Sequence, residues 1–235
     1  MTNDMTLSDR MKLYEKANLT KIESKMPAII RLDGKAFHTW TKGLEEPFDA
    51  LFYAVMAHTA KHLVNEIQGA VLAYGQSDEI SIFLKDYTND NTDAWFGGSV
   101  QKIVSVSASM ATAYFNDAAR SLGVSGKDKP AFFDSRIFTL PKHEVTNYFI
   151  WRQQDFMRNS VQMVARYHLG HSAIHGISRS QMIDALLNME EPVDYYRDID
   201  ALFRHGYSYV RGEASLCTNL PNFVECRDYI EVHVY

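Results

Sequence analysis

GAVLAYGQSDEISIFL, residues 69–84, is two apolar runs joined by a polar break. GAVLAY and EISIFL have the length and the β-branched and aromatic content of strands. Gly75-Gln76-Ser77-Asp78 between them has turn composition, so the stretch predicts a β-hairpin. Upstream, PAIIRL (27–32) is a third apolar run that stops at Asp33-Gly34, as a buried strand ending in a loop does. Between these runs, Leu51, Phe52, Val55, Leu63 and Ile67 recur with helical spacing behind Phe48 and Pro47, and Pro47 fits the first position of a helix. Beyond the hairpin, Val100, Ile103, Val104, Ala108, Ala111, Phe115 and Ala118 predict a second long helix from near Ser99 to near Gly123. AFFDSRIFTL (131–140) then alternates as a strand, with Phe133, Ser135 and Ile137 on one face and Phe132, Asp134 and Arg136 on the other.

Strand, helix, hairpin, helix, strand is the split βαβ order of ferredoxin-like sheets. Nucleic-acid polymerase palms and nucleotide cyclases are built on that sheet, although a fold alone does not give a function. A short amphipathic helix is expected from Ser8. After the last strand come a helical pattern from about Lys142 to His168, a helix opened by the capping box Ser178-x-x-Gln181, and strand candidates at Tyr207–Val210 and Tyr229–Val234. The expected fold is α+β: a palm-like antiparallel sheet with packed helices and a C-terminal helical extension. One domain spans 1–235, with a catalytic core at 27–140 and the extension with its late strands at 141–235.

Composition bounds the rest. The chain has 235 residues, 46% of them hydrophobic and 12% aromatic, which excludes a disordered or fibrous protein. Its N-terminal stretch is charged without an apolar centre, and no window approaches about 18 consecutive apolar residues, so a cytoplasmic protein with no membrane partner is expected. Two cysteines, Cys217 and Cys226, in a chain large enough to fold unstapled fit a reducing compartment. The net charge of −5 argues against a protein that coats nucleic acid through its overall field. A local basic run exists all the same: Arg136, Lys142, His143, Arg152, Arg158 and Arg166. It reads as an RNA-facing surface or as a solvated helix face.

The acidic residues carry the chemistry. Asp33 follows the first strand, Asp78 lies in the hairpin turn, and in a split βαβ sheet those two strands are central neighbours. The carboxylates would then face each other. Magnesium takes oxygen ligands and is usually held by one or two carboxylates plus substrate phosphates, and two such ions clamp the attacking and leaving oxygens of a phosphoryl displacement. Turns favour the same residue types, so spacing alone leaves a plain-turn reading open. Glu79 points away from Asp78 on a strand; it binds an ion through water or holds the loop by hydrogen bonds. Gly34-Lys35-Ala36-Phe37-His38 offers backbone amides that could cradle phosphate, with Lys35, His38 and Lys42 adding charge. His168, His171 and His175 match no standard zinc spacing and suit a solvated or RNA-facing surface. Met157, Met163 and Tyr167 read as core.

IRLDGKAFH (30–38), AYGQSDEIS (73–81) and WRQQDFMRNS (151–160) resemble, in order and spacing, the three hallmark segments of the tRNA(His) guanylyltransferase superfamily. The closer resemblance is to its bacterial and archaeal guanylyltransferase-like branch, template-directed 3′-5′ RNA polymerases that repair tRNA 5′ ends. It spans residues from about 27 to 160, with a weaker echo in FRHGYSYV (203–210). It implies a palm in which Asp33, Asp78 and the Gly34 carbonyl hold two magnesium ions. Ser77, Lys35, Ala36, Phe37 and His38 would line the triphosphate, and Glu79 matches a carboxylate needed for activity. Arg158 and Asn159 would lie where the incoming nucleotide and the RNA 5′ end are handled. ATP and GTP are the implied substrates, a tRNA the acceptor and a homotetramer the assembly. Two departures stand out. Met157-Arg158-Asn159-Ser160 occupies the place of a His-Ile-Asn-Asn segment in the eukaryotic enzymes, which favours repair over obligatory G addition. Glu46 stands where those enzymes have a basic residue before the proline, leaving Lys42 to supply a phosphate contact. A palm-type nucleotidyl cyclase would use the same two aspartates without RNA, and a retired RNA-binding module would keep only the basic surface.

Overall fold

A computed structural model describes residues 5–17, 19–124 and 129–235, so residues 1–4 of the charged N-terminal stretch lie outside it. The elements in order are α1 (Leu7–Lys16), β1 (Ala28–Gly34), α2 (Phe37–Trp40), α3 (Ala50–Glu66), β2 (Ala70–Gln76), β3 (Glu79–Leu84), α4 (Val100–Leu122) and β4 (Phe133–Thr139). They continue with α5 (Lys142–Leu169), α6 (Arg179–Leu187), α7 (Tyr195–Asp198), α8 (Ala201–His205), β5 (Tyr207–Val210) and α9 (Asp228–Val234). One antiparallel sheet runs in the order β4-β1-β3-β2-β5, the ferredoxin-like order with β5 added beside β2. Among the described residues no helix is long and apolar enough to cross a membrane.

Both sheet faces are covered, which is why β1 and β3 read as nearly continuous apolar runs. Ala28, Ile30 and Leu32 of β1 and Ile80, Ile82 and Leu84 of β3 pack under α3 and α4 with Phe52, Val55, Leu63, Ile67, Ile103, Ala111 and Phe115. Ile29 and Phe83 turn to the other face, against Val145, Tyr148 and Phe149 of α5 and Ile230 and Val234 of α9. The C-terminal half of α5 packs its Val161, Val164 and Ala165 on Met182, Ile183 and Leu186 of α6, whose Ser178 and Gln181 form the expected capping box.

Four local expectations differ from the structure. Asp33 and Gly34 are the last ladder residues of β1 and not loop, because β3 and β4 pair with Asp33 from either side. Helix α3 begins at Ala50 and not at Pro47, since the Asp49 carboxylate accepts the Phe52 amide at 2.8 Å and makes Asp49 the N-cap. Leu51 lies on the outer side of that helix, 51% exposed. The alternating Tyr229–Val234 segment is a helix, α9: Ile230 and Val234, one turn apart, are buried while Val232 faces solvent. Tertiary packing overrides β-branched propensity there.

Gly75 marks the tightest approach of β2 to β5, for a Cβ there would lie 2.1 Å from Cζ of the Tyr207 ring. Gly75→Ala is expected to destabilise by about 2–4 kcal/mol. Gly123→Ala, at a left-handed helix end with nothing within 4 Å among the described residues, is expected to cost only about 1 kcal/mol. Denaturant unfolding of the two variants compares them directly.

Candidate active site

The ladder brings the acidic residues together. Asp33 on β1 is the register partner of Glu79 on β3 and of Asp134 on β4, and the Gly34 amide donates to the Asp78 carbonyl at 3.1 Å. Asp78 occupies the two-residue turn between β2 and β3, entered through Ser77 in a left-handed conformation (φ 47°). Burial, then the Asp33 charge, pushes the Asp78 carboxyl from 3.8 up to about 6. Burial and the nearby Asp134 likewise raise Asp33, with Arg136, Arg31 and Arg152 pulling the other way. Two half-buried to buried carboxylates, both raised and offering hard oxygen donors only, suit a divalent cation that keeps some waters and adds phosphate ligands.

Asp33, Gly34, Ser77 and Asp78 form one end of an open cleft of about 860 Å³. A second wall comes from the segment after β1. Ala36 adopts a left-handed conformation (φ 55°) directly before α2, and Ala36, Phe37 and His38 all line the cleft, a backbone turn of the kind that forms anion-binding nests. His38 and Lys42 project beside them, and Glu46 lines the same wall. The Phe37 side chain does not face a ligand. Its ring is buried against Trp40, Phe52, Phe115 and Phe133, which leaves its backbone on the cleft. Gly34 permits this packing, because a Cβ there would meet the Phe37 ring at 2.3 Å. Lys35 is exposed outside the cleft wall, its amide donating to the Phe132 carbonyl at 2.8 Å.

The basic run divides. Arg166 lines the cleft; Arg136 is exposed and pairs with Asp134 at 3.1 Å; Arg158 is 59% exposed and pairs with Asp155 at 2.6 Å. Asn159 is exposed on α5 beyond the cleft wall. Lys142 lies over the Tyr87 ring at 4.2 Å, at the far end of a helix about 42 Å long. Arg152 corrects the expectation of an RNA contact. Its side chain is 8% exposed and forks onto both oxygens of Glu79 at 2.8 Å, with Asp155 at 3.1 Å. Glu79 is therefore paired, on the face opposite the α3 and α4 core.

Sequence reasoning missed other cleft residues. Met163 and Tyr167, read as core, line the cleft with Arg166; their spacing on one helix face was the available signal. Met157 is core as read. Tyr53 lines the cleft with its hydroxyl buried beside the Ser77 backbone and the Asp78 charge, and nothing in its helical position foretold that. His168, His171 and His175 are exposed, and among the described residues no three potential ligands gather as a metal site. Cys217 and Cys226 are free.

A split βαβ sheet with paired aspartates at the mouth of a polar cleft is a palm-type arrangement, and the comparisons with known proteins agree. Residues 8–141 match the profile of the tRNAHis guanylyltransferase family. The structure superposes on a bacterial tRNA(His) guanylyltransferase-like protein in complex with ATP, with a TM-score of 0.93, 41% identity and coverage of 98% of this chain and 100% of that one. A structure of a bacterial guanylyltransferase-like protein in complex with GTP gives 0.81 and 38%, covering 97% and 99%. An uncharacterized protein of Acanthamoeba polyphaga mimivirus is 32% identical over 77% of this chain and 69% of its own length. The chain spans only 44% of the Bos taurus probable tRNA(His) guanylyltransferase, to which it is 31% identical over 57% of its own length. The chain belongs to the tRNAHis guanylyltransferase family, and the enzyme class is nucleotidyltransferase.

The raised Asp78 carboxyl has a stability consequence. The unfolded chain ionises this group at 3.8 and the folded one only near 6, so the ionised form costs stability that is absent below the first value and full above the second. Asp78→Asn is expected to stabilise by about 1–3 kcal/mol at neutral pH, or about 5 °C in melting temperature. The gain should vanish when melting is followed below pH 4.

Proposed function

We propose that the protein is a template-directed nucleotidyltransferase that adds nucleotides in the 3′-5′ direction to the 5′ end of a tRNA, in the manner of tRNA repair. The observation that carries this reading is the Asp33–Asp78 pair, one carboxylate at the end of β1 and the other in the adjoining β2–β3 turn, lining a cleft large enough for a nucleoside triphosphate. The nucleotides in the two bacterial guanylyltransferase-like structures support ATP and GTP as substrates, and the identity to those chains supports the guanylyltransferase-like branch.

In this reading Asp33, Asp78 and the Gly34 carbonyl hold two magnesium ions, which supply charge neutralisation for the triphosphate and the departing pyrophosphate. The chain's own groups orient the substrates. The amides around Ala36, Phe37 and His38, the Ser77 hydroxyl and the charges of Lys42 and Arg166 hold the triphosphate, with Lys35 and Asn159 meeting parts of the substrates that extend past the cleft. Arg136, Arg158 and Arg166 hold RNA phosphates. The 3′-hydroxyl of the incoming nucleotide then attacks the α-phosphorus of an RNA 5′-triphosphate, forming the new P–O bond as pyrophosphate leaves. A 5′-monophosphate end requires prior activation by ATP. Residues 27–140 act as the catalytic core and 141–235 as an extension of one domain, in a cytoplasmic homotetramer.

The test is 5′ extension of a tRNA transcript lacking its first nucleotide, with magnesium and all four nucleoside triphosphates. Templated growth is expected, with Asp78→Ala slower by about a thousandfold or more. Pyrophosphate release without RNA extension would replace this reading with a cyclase-like condensation of nucleotides. In the same assay Arg158→Ala should raise the RNA KM severalfold and lower the salt slope of RNA binding by about one.

A further inference from the structure

Arg152 lies in the middle of the basic run, yet its side chain is only 8% exposed and is turned to carboxylates of its own chain. Its guanidinium gives Nε to Glu79 Oε1 and Nη2 to Glu79 Oε2, both at 2.8 Å, and Nη2 also reaches Asp155 Oδ2 at 3.1 Å. The Trp151 ring covers it at 4.5 Å. Both partners of the fork are more than nine-tenths buried. A guanidinium that left this place for an RNA phosphate would strand a buried carboxylate, so the contact is fixed.

Glu79 touches both aspartates through the backbone. It follows Asp78 in the chain and is the register partner of Asp33 across the ladder. Its carboxylate has both oxygens engaged by Arg152, with the Ser81 hydroxyl donating to Oε1 at 3.4 Å, and Ser81 is itself tied to the Tyr148 hydroxyl of α5 at 2.7 Å. The fork thus pins the first residue of β3, and with it the Ser77-Asp78 turn, to α5. It also gives the Glu79 carboxylate a cation of its own, while Asp33 and Asp78 are the carboxylates that line the cleft.

We infer that Arg152 is a positioning residue that acts through Glu79, fixing the geometry of the Asp33–Asp78 seat, and not an RNA contact. The inference rests on the nucleotidyltransferase reading of that seat. Displacing such a seat by about an ångström is worth about a hundredfold in rate.

The experiment compares Arg152→Met, Arg152→Lys, Glu79→Gln and the double variant Glu79→Gln/Arg152→Met in the 5′-extension assay, with thermal melts as a folding control. Arg152→Met is expected to lower kcat by about a hundredfold while the RNA KM and the salt slope of RNA binding stay within about twofold. Arg152→Lys should recover little, because an ammonium cannot make the fork. The double variant should be no slower than the slower single variant, since both substitutions remove one interaction. A raised RNA KM with unchanged kcat and a salt slope lower by about one would make Arg152 an RNA contact, and multiplicative losses in the double variant would make the two residues independent; either result overturns the inference. Should Arg152→Met fail to fold, the double variant, which strands no buried charge, is compared with Glu79→Gln: equal kcat supports the inference and a further loss overturns it. Magnesium-dependent GTP binding by calorimetry repeats the cycle without an acceptor. A wild-type protein that binds GTP but extends no RNA would then fail the acceptor reading alone, while non-additive or additive losses in GTP binding still decide the role of Arg152.

Discussion

The structure is organised around an electrostatic conflict held in place by a β-ladder. Burial makes the charges of Asp33 and Asp78 costly, with Asp33 adding to the cost at Asp78 and Asp134 to that at Asp33, yet the β1–β3 register and the Gly34-to-Asp78 hydrogen bond allow neither to withdraw. The ladder can impose this because the residues behind it are fully packed: Ile30, Leu32, Ile80 and Ile82 are buried under α3 and α4, so a slip of one residue would turn that whole apolar set to the wrong face. A site that costs folding stability without its ligand is the usual mark of a site built for one.

The walls around the pair are positioned by packing that looks unrelated to chemistry. The Phe37 ring is buried among aromatic neighbours, and that burial holds the left-handed Ala36 and the start of α2 against the cleft. The absence of a side chain at Gly34 makes room for the ring. On the other side of the sheet, α5 serves two ends at once. Its first half packs on Ile29 and Phe83, while its second half delivers Met163, Arg166 and Tyr167 to the cleft.

Much of this was legible in the sequence, because strands buried on both faces write themselves as apolar runs and a hairpin announces its turn. The order of elements and the meeting of Asp33 with Asp78 follow from those signals alone. What stayed hidden depends on contacts distant in the chain. Arg152 reads as one more cation on a basic helix, and only Glu79, 73 residues away, shows that it is buried. Residues 229–234 alternate like a strand, but the sheet edge available to them is taken by β5, and the surface they cover wants residues one turn apart. Tyr53 looks like any core position of α3 until the Ser77-Asp78 turn is seen beside it.

The claim on which the account stands is that Asp33 and Asp78 are the seat of the catalytic cations. Manganese prefers the same hard oxygen donors as magnesium and scatters anomalously, so crystals grown with GTP and manganese test it directly. Anomalous peaks are expected within coordination distance of both carboxylates, between them and the triphosphate. Ions held by the triphosphate alone, with neither aspartate as a ligand, would contradict it.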